Sequence, residues 1–534
     1  MKTSVNCRSL AAIFLLIASI TTSGVSEKLP LDEYMTKVDS EYRWYDTGRR
    51  LTGALPWEKW EGIVLNMTSQ SWLSSADVDC SLWSHDLVIV KPCNYVHKKT
   101  AFLVIAGGSN NDIGPTPSDE LLILAATVAV KTGSLAAVVY QVPNQPCRFT
   151  SEQPPRARSD DELVAYTWSY FLDHPEKTEW PLKFAMTKAV VRAMDTIQAY
   201  AKDHMNIQVD NFVITGASKR GWITWSTAAV DERVAGIIPV VMDLLNMGSN
   251  LHHFYQSLGG WPIAFKAYHE AGITARLDTP EFKKLTDIVD PYVYRDRLGL
   301  PKLMVTTSND EFFLLDDSMY FWDALPGEKH CLILANTDHS LATGVLKFLT
   351  AVEAFFLSIV ESYEVNGIPG MIRIKRGALM ELPNTASSGG SRPKYWFNIN
   401  RDGGVIEIGT TDKPVEVLLW YAFTYKGTKG RDFRWFTADD GKCPTLAVKD
   451  VCLKPVYFQS RTINPTDVSN EDGMINYYAS LSTPKEGYGA FFVEMKFAGP
   501  KPLTPFVITT PAVIVPNYFP YGDCYGADCR GQLV

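Results

Sequence analysis

The chain has 534 residues, of which 46% are hydrophobic and 21% charged, a composition typical of a globular protein with a large core. This length allows about two to four domains. The formal net charge of −8 at pH 7 excludes the strongly basic surface on which nucleic-acid binding depends, so we expect no nucleic-acid partner.

The N-terminus has the layout of a secretory signal peptide. Lys2 and Arg8 supply positive charge, residues 10–20 are apolar except for Ser19, and small residues follow. The apolar run is shorter than the roughly twenty residues that cross a bilayer. We therefore predict a signal peptide over residues 1–24, a secreted protein and no membrane insertion.

Cysteine usage fits an oxidising compartment. The chain has nine cysteines, and removal of Cys7 with the signal peptide would leave an even number, as expected for disulfides in a secreted protein. Only pairs that are close in sequence can be proposed from the sequence. These are Cys443 with Cys452, Cys524 with Cys529 and, third in order, Cys80 with Cys93.

Zinc binding is the competing interpretation of the cysteines. His85 and His97 lie near Cys80 and Cys93, but no Cys-x-x-Cys pair supports a zinc site. We predict no metal and no cofactor.

Asn66 begins an Asn-Met-Thr sequon, which makes it a candidate for glycosylation in a secreted chain. If residues 65–67 form a buried strand, we expect the sequon to be unmodified.

Strand-like and helix-like runs alternate between about residues 60 and 365. Short β-rich runs such as 101–105 and 212–215 are separated by amphipathic helical runs such as 182–205. This alternation predicts an α/β domain over residues 25–365, with a mostly parallel sheet covered on both faces.

The alternation breaks at about residues 243–300, which are rich in aromatic residues and histidines and include Trp261 and Tyr268. An insertion after a mid-sheet strand favours a helical cap over a binding site. A pair of packing helices is a compatible alternative.

The pattern changes again after about residue 366. Gly, Pro and Ser cluster, and short β-rich runs recur without a long helical run. We predict a C-terminal β-rich domain over 366–534, with a β-sandwich-like part from about 370 to 515 and a cysteine-bearing tail.

The segment 213–222 has the pattern of a nucleophile elbow. A β-run leads into Gly216-x-Ser218, and a helix-compatible run follows. A strand–turn–helix lifts the serine hydroxyl out of the sheet and places it at a helix N-terminus, which favours a developing anion. Arg220 occupies the position where a second glycine is usual, and Gly221 comes one residue later.

Chain order predicts the partners of Ser218. Asp310 and His339 each follow one of the next predicted strands, in the order Ser…Asp…His that α/β-hydrolases use. The histidine would take the serine proton, and the aspartate would orient the histidine. A surface histidine in a turn is the alternative for His339. Asp310 has three rivals, each of which, like Asp310 itself, could instead cap a helix: Asp316, Asp317 and Asp338.

An early strand-to-helix loop is expected to supply the oxyanion hole. Gly107 and Gly108 follow a predicted strand, and the N–H of Lys219 would be the second donor. A glycine pair after a strand is also an ordinary turn.

Lys219 and Arg220 place two cations beside the serine. Arg220 is the better candidate for binding an anionic substrate group, because its planar fork matches a carboxylate. A structural ion pair with a neighbouring carboxylate is an equally good interpretation.

Together these segments resemble the PhoPQ-activated pathogenicity-related family. The supporting stretches are Leu-Asp-Glu-Tyr at 31–34, Thr-Ser-Gln-Ser-Trp at 68–72, Ala-Tyr-Thr-Trp at 165–168, Gly-Ala-Ser-Lys-Arg-Gly-Trp at 216–222, Asp-Glu-Phe-Phe-Leu at 310–314 and Asn-Thr-Asp-His-Ser-Leu at 336–341. The resemblance implies an α/β-hydrolase fold similar to that of prolyl-oligopeptidase-like enzymes, and the same triad of Ser218, Asp310 and His339. It also implies that some members act as secreted signals that restrain proliferation.

Two functional hypotheses follow. The first is a secreted serine hydrolase of peptidase or esterase type, acting on a peptide or ester substrate. The second is a secreted signalling protein that keeps the hydrolase scaffold and binds a cell-surface receptor, since a fold does not determine function.

Overall fold

The computed structural model describes residues 29–55, 58–366, 392–439, 441, 443–468 and 473–534. The predicted signal peptide lies outside the described residues. Within them, no helix combines the length and the apolar character needed to cross a bilayer.

The first 366 residues contain strands and helices that mostly alternate. The strands are β1 (Arg43–Leu55), β2 (Glu58–Ser71), β3 (Leu82–Pro92), β4 (His97–Ile105), β5 (Ser134–Val139), β6 (Asn211–Ala217), β7 (Val234–Val240), β8 (Lys302–Thr307) and β9 (Lys329–Leu334). The α-helices are α1 (Pro30–Thr36), α2 (Glu120–Thr132), α3 (Asp160–Asp173), α4 (Lys183–Met205), α5 (Lys219–Val230), α6 (Met247–Leu258), α7 (Lys266–Glu270), α8 (Pro280–Val289) and α9 (Val345–Asn366).

Short strands make up most of the C-terminal part. They are β10 (Tyr395–Asn400), β11 (Val405–Thr410), β12 (Glu416–Phe423), β13 (Phe436–Ala438), β14 (Leu446–Val448), β15 (Val451–Leu453), β16 (Gln459–Thr462), β17 (Asp467–Val468), β18 (Ile475–Ser480), β19 (Gly489–Lys501), β20 (Thr504–Thr509) and β21 (Val513–Val515). Short 3₁₀-helices also occur, at Ile263–Phe265, Thr274–Arg276, Pro291–Arg297, Asp317–Tyr320 and Gly526–Arg530.

One large sheet organises the molecule, in the order β1-β2-β3-β5-β4-β6-β7-β8-β9-β20-β19-β12-β16. Within the part of the sheet ordered β5-β4-β6-β7-β8-β9, adjacent strands are parallel to one another. Strands β1, β2 and β3 form an antiparallel edge beside β5. Parallel strands all end at the same edge of the sheet, so the residues that follow β4, β6, β8 and β9 are gathered there.

Both faces of this sheet are buried, as a parallel sheet requires. Side chains of β6 alternate between two cores: Phe212 and Ile214 belong to one, and Val213 to the other. Helices α3, α4 and α5 supply the first core, and α2 and α9 the second.

Local signals set the ends of the helices. The Asp119 side chain accepts the N–H groups of Leu121 and Leu122 at 3.1 and 3.0 Å, which starts α2. Gly133 then ends α2 in the left-handed conformation, with φ of 71°.

The C-terminal strands are joined to the main sheet rather than set apart from it. Thr509 of β20 pairs with Cys331 of β9, and the Thr509 hydroxyl accepts the N–H of Ile333 at 3.0 Å. A second sheet, β10-β11-β18-β17, shares a core with β12 and β19. The predicted sandwich-like packing therefore exists, but one of its two layers continues the main sheet.

The segment predicted as a cap contains α6, α7 and α8. Tyr268 of α7 lines the same cavity as Ser218. Trp261 does not line that cavity, and its indole N–H donates instead to the carbonyl of Cys529 at 2.9 Å. The segment predicted as a cap is thus bonded to the C-terminal tail.

Three cysteine pairs lie at disulfide distance. Cys443–Cys452 and Cys524–Cys529 are paired as the sequence predicts. The third prediction, Cys80 with Cys93, is wrong, because Cys80 pairs with Cys147, which is 67 residues away. Cys93 is exposed and has no disulfide partner among the described residues.

Asn66 lies within β2 between the fully buried Leu65 and Met67, and its side-chain amide donates to the Ser84 hydroxyl at 3.2 Å. This is the buried-strand condition under which we expect the sequon to be unmodified. Glycosylation at Asn66 stays untested.

The disulfides differ in the length of chain that they close, and we expect their removal to differ accordingly. Replacing Cys80 and Cys147 by Ser should lower the free energy of unfolding by roughly 4 kcal/mol, since closing a long loop restricts the unfolded chain most. Replacing Cys443 and Cys452 should cost roughly 2–3 kcal/mol. Denaturant unfolding of both double variants measures the difference, and equal losses would contradict it.

Candidate active site

Ser218 lies in a strained turn between β6 and α5. Its backbone has φ of 57° and ψ of −128°, a region that non-glycine residues rarely occupy. The Ser218 N–H donates to the carbonyl of Val240 at the end of β7, at 2.9 Å. This is the geometry of a nucleophile elbow, with the serine at the carboxyl edge of the sheet and at the N-terminus of a helix.

Two glycines make the elbow possible despite Arg220. A Cβ atom on Gly216 would lie 2.7 Å from the carbonyl oxygen of Arg220. A Cβ atom on Gly221 would lie 2.8 Å from Cβ of Met242 and 2.9 Å from the carbonyl oxygen of Val240. Gly221 thus allows α5 to approach the strand beside it, so Arg220 at the preceding position is compatible with the elbow.

Asp310 and His339 lie in contact at the same edge of the sheet. His339 Nδ1 is 3.0 Å from Asp310 Oδ1 and 2.9 Å from Oδ2. Asp310 is held by the backbone N–H groups of Phe312 and Phe313, at 2.8 and 3.2 Å, and by the Thr307 hydroxyl at 3.2 Å. These donors hold the Asp310 carboxylate in a fixed position, so that it can orient the imidazole ring.

The second ring nitrogen of His339, Nε2, lies on the side of the ring away from Asp310. Its Nε2 atom is buried and makes no hydrogen bond within the described part of the chain, which includes Ser218. The ring of Phe312 packs 4.5 Å from the imidazole ring, and Phe312 lines one cavity together with Ser218. The structure therefore brings His339 into the neighbourhood of Ser218 but leaves the Nε2 atom free to accept a proton.

Electrostatics raise the pKa of His339. Burial lowers the pKa of His339, but the charge and hydrogen bond of Asp310 outweigh burial and raise it above its ordinary 6.5. Glu311 adds to this effect, and its carboxylate also accepts the backbone N–H of His339 at 3.1 Å.

The three rival aspartates are engaged elsewhere. Asp316 forms a buried ion pair with Arg431. Asp317 accepts a backbone N–H three residues earlier in the chain, at 2.9 Å. Asp338 accepts the N–H and hydroxyl of Ser340, at 3.1 and 2.6 Å.

The predicted oxyanion loop follows β4 and lies against the first turn of α5. A Cβ atom on Gly107 would come within 2.5 Å of the Arg220 guanidinium, so a larger residue here would have to displace that side chain. Gly108 has φ of 121°, in the region that favours glycine. Lys219 is the first residue of α5, where backbone N–H groups have no partner inside the helix.

The two cations beside Ser218 form ion pairs, which is the alternative interpretation from the sequence. Arg220 Nε donates to the carbonyl of Val142 at 2.6 Å, and Nη2 lies 3.3 Å from Asp160. Lys219 Nζ lies 3.2 Å from Asp161 and 3.6 Å from Asp160. These contacts favour a structural role for Arg220 over binding of an anionic substrate group.

Sequence reasoning did not identify Asp160, Asp161 or Glu311. Asp160 and Asp161 open α3, where acidic residues are common because they favour the helix N-terminus, so their pattern carries no separate signal. Glu311 follows Asp310 directly, and that adjacency was the available clue.

Both ring nitrogens of His85 are hydrogen-bonded, to the Ser69 hydroxyl and the Tyr140 carbonyl. Among the described residues, one group has metal-ligand proximity: His252, Cys524 and Cys529. Its two sulfurs are paired in a disulfide, and the thiolates that bind zinc are therefore absent.

This sheet order, with the serine elbow after β6, the aspartate after β8 and the histidine after β9, defines the chain as an α/β-hydrolase by fold. The chain belongs to the PhoPQ-activated pathogenicity-related protein family, which it matches over residues 31–434.

Three known proteins illustrate the likeness. The autocrine proliferation repressor protein A of Dictyostelium discoideum is 32% identical over 526 residues, covering 96% of this chain and 95% of that protein. Acetyl xylan esterase 1 from Thermoanaerobacterium is 15% identical with a TM-score of 0.40, over 62% of this chain and 93% of the esterase. The acylaminoacyl peptidase of Pyrococcus horikoshii is 12% identical with a TM-score of 0.34, over 61% and 50% of the two chains.

The contact between Asp310 and His339 predicts a large effect of Asp310→Asn. Without the carboxylate, His339 loses its orientation and the charge that stabilises its protonated form. We expect hydrolytic turnover of an activated ester to fall by roughly 10³–10⁴-fold with the fold intact. Asp338→Asn, adjacent to His339 but bonded to Ser340, is the control and should retain near-normal turnover. Similar losses in both variants would contradict the assignment of Asp310.

The charge of Glu311 predicts a shift in pH dependence. A base must be neutral to accept a proton, so the rate should rise as pH passes upward through the pKa of His339. Glu311→Gln removes one cause that raises that pKa, so the rise should begin at lower pH. The pH profile of fluorophosphonate labelling measures this, with the exposed Glu486→Gln as control. An unchanged profile in Glu311→Gln would show that Glu311 only supports the loop.

Proposed function

We propose that this protein is a secreted serine hydrolase of esterase or peptidase type. The observation that carries the proposal is the hydrogen bond between Asp310 and His339 beside a serine held in an elbow. Neither the strained backbone of Ser218 nor the contact between Asp310 and His339 serves an evident structural purpose, which favours a catalytic one.

The proposed reaction is acyl transfer to serine followed by hydrolysis. Ser218 Oγ attacks the substrate carbonyl carbon while His339 Nε2 takes its proton, and Asp310 stabilises the resulting imidazolium. The N–H groups of Lys219 and of the Gly107–Gly108 loop stabilise the oxyanion. His339 then returns the proton to the leaving group, and water releases the acyl group by the same steps.

Secretion is part of the proposal. The predicted signal peptide supports it, and so do the three cysteine pairs at disulfide distance, which are typical of an oxidising compartment.

A second function is favoured by one specific observation, the 32% identity to an autocrine proliferation repressor over nearly the whole chain. In this alternative the protein is an extracellular signal that binds a cell-surface receptor through the hydrolase scaffold. The two functions are compatible, since a signal could depend on hydrolysis or only on binding.

A fluorophosphonate probe tests the first proposal. Purified protein should become labelled covalently, and Ser218→Ala should not, because the probe reacts only with an activated serine. Equal labelling of both proteins, or labelling of neither, would contradict the hydrolase.

The same variant separates the two functions. Wild type and Ser218→Ala would be added to cultured cells of the source organism, and cell number followed over time. Restraint of proliferation by both proteins would place signalling in the scaffold. Restraint by wild type alone would make hydrolysis part of the signal, and restraint by neither would remove the second proposal.

A further inference from the structure

The cavity beside Ser218 has an apolar lining. It lies between the segment of α6 and α7 and the carboxyl edge of the sheet, next to Ser218. Trp168, Trp222, Phe312 and Phe313 line it from the hydrolase body, and the cap adds further apolar side chains, including Leu251 of α6. We call this space the chamber.

Few polar groups line the chamber, and its two charged side chains are paired with each other. Lys219 Nζ lies 3.2 Å from Asp161, and the Tyr268 hydroxyl donates to the same carboxylate at 3.1 Å. One positive and one negative charge therefore cancel at the wall. Asp160 and Arg220 pair in the same way directly behind them.

One further amine lies behind the wall. Lys183 Nζ is 3.2 Å from the centre of the Trp222 ring and has no hydrogen-bond partner in the described part of the chain. Burial, together with the nearby charge of Lys219, lowers the pKa of Lys183 well below its usual range. Lys183 is not among the residues that line the chamber.

From this lining we infer that the chamber binds an uncharged apolar acyl group of the substrate, attached to the carbonyl that Ser218 attacks. This inference rests on the proposed hydrolase function and names its substrate class. Burial of each methylene against the aromatic wall favours longer chains, by roughly fourfold in affinity per methylene. A charged chain would lose its hydration without gaining an unpaired partner.

The test uses Ser218→Ala, so that binding is measured without turnover. Methyl acetate, methyl hexanoate and monomethyl adipate are titrated by calorimetry. The last two have acyl chains of the same length, but adipate carries a carboxylate at the far end. We expect hexanoate to bind at least tenfold more tightly than either of the other two. Equal binding of all three esters, or tighter binding of the adipate ester, would overturn the inference.

Two matched substitutions locate the binding, both made in the Ser218→Ala background. Leu251→Phe narrows the chamber and should reduce the preference for hexanoate over acetate by at least tenfold. Leu285→Phe makes the same change in buried α8 outside the chamber and should leave the preference unchanged. An equal effect of both, or no effect of Leu251→Phe, would contradict the assignment.

Thermal melting followed by circular dichroism shows which variants fold. If Leu251→Phe does not fold, Leu251→Ala replaces it and should shift the preference toward methyl octanoate, because it enlarges the chamber. Absence of fluorophosphonate labelling with hexanoate binding intact would remove the hydrolase and leave the chamber as an apolar binding site. Fluorophosphonate labelling without preferential binding of hexanoate would support the hydrolase and overturn the assignment of the chamber to an apolar acyl group.

Discussion

The active site depends on the unfavourable backbone conformation of Ser218. A residue with a side chain at φ of 57° stores strain, which the rest of the fold must hold in place. The fold does so by packing α5 tightly against β6 and β7, and that packing is possible only because Gly216 and Gly221 have no side chains. The strain has a chemical use, since it presents the hydroxyl at a helix N-terminus, outside the sheet.

The parallel sheet then supplies the partners. Asp310 follows β8 and His339 follows β9, so neighbouring strands deliver both side chains to the edge where Ser218 lies. Asp310 is bound by two backbone N–H groups and is almost fully buried, which fixes its position. Its carboxylate acts on a buried imidazole, where an ionic interaction is stronger than in water.

Charge is distributed unevenly around this site. The contact between Asp310 and His339 is polar, whereas the charges that line the neighbouring chamber are neutralised by the pairing of Lys219 with Asp161. The same ion pairs connect the start of α3 with the start of α5, so they also fix the wall of the chamber. Arg220, which the sequence offered as a candidate for anion binding, is instead bonded to Val142 and Asp160 of the protein itself.

The sequence by itself determined what depends on local order. The elbow around Ser218, the placement of Asp310 and His339 after successive strands, and the cysteine pairs with short spacing all follow from neighbouring residues, because strand ends and short loops are local features. The choice of Asp310 over Asp338 also followed from position, since adjacent side chains in a loop point apart.

Only the tertiary structure decided which distant groups meet. Cys80 pairs across 67 residues with Cys147, and Arg220 reaches an aspartate 60 residues away. The joining of β20 to β9 likewise converts an expected separate domain into an extension of the main sheet. These contacts depend on packing of whole layers, and no local pattern of hydrophobicity or charge specifies which of many distant partners will be adjacent.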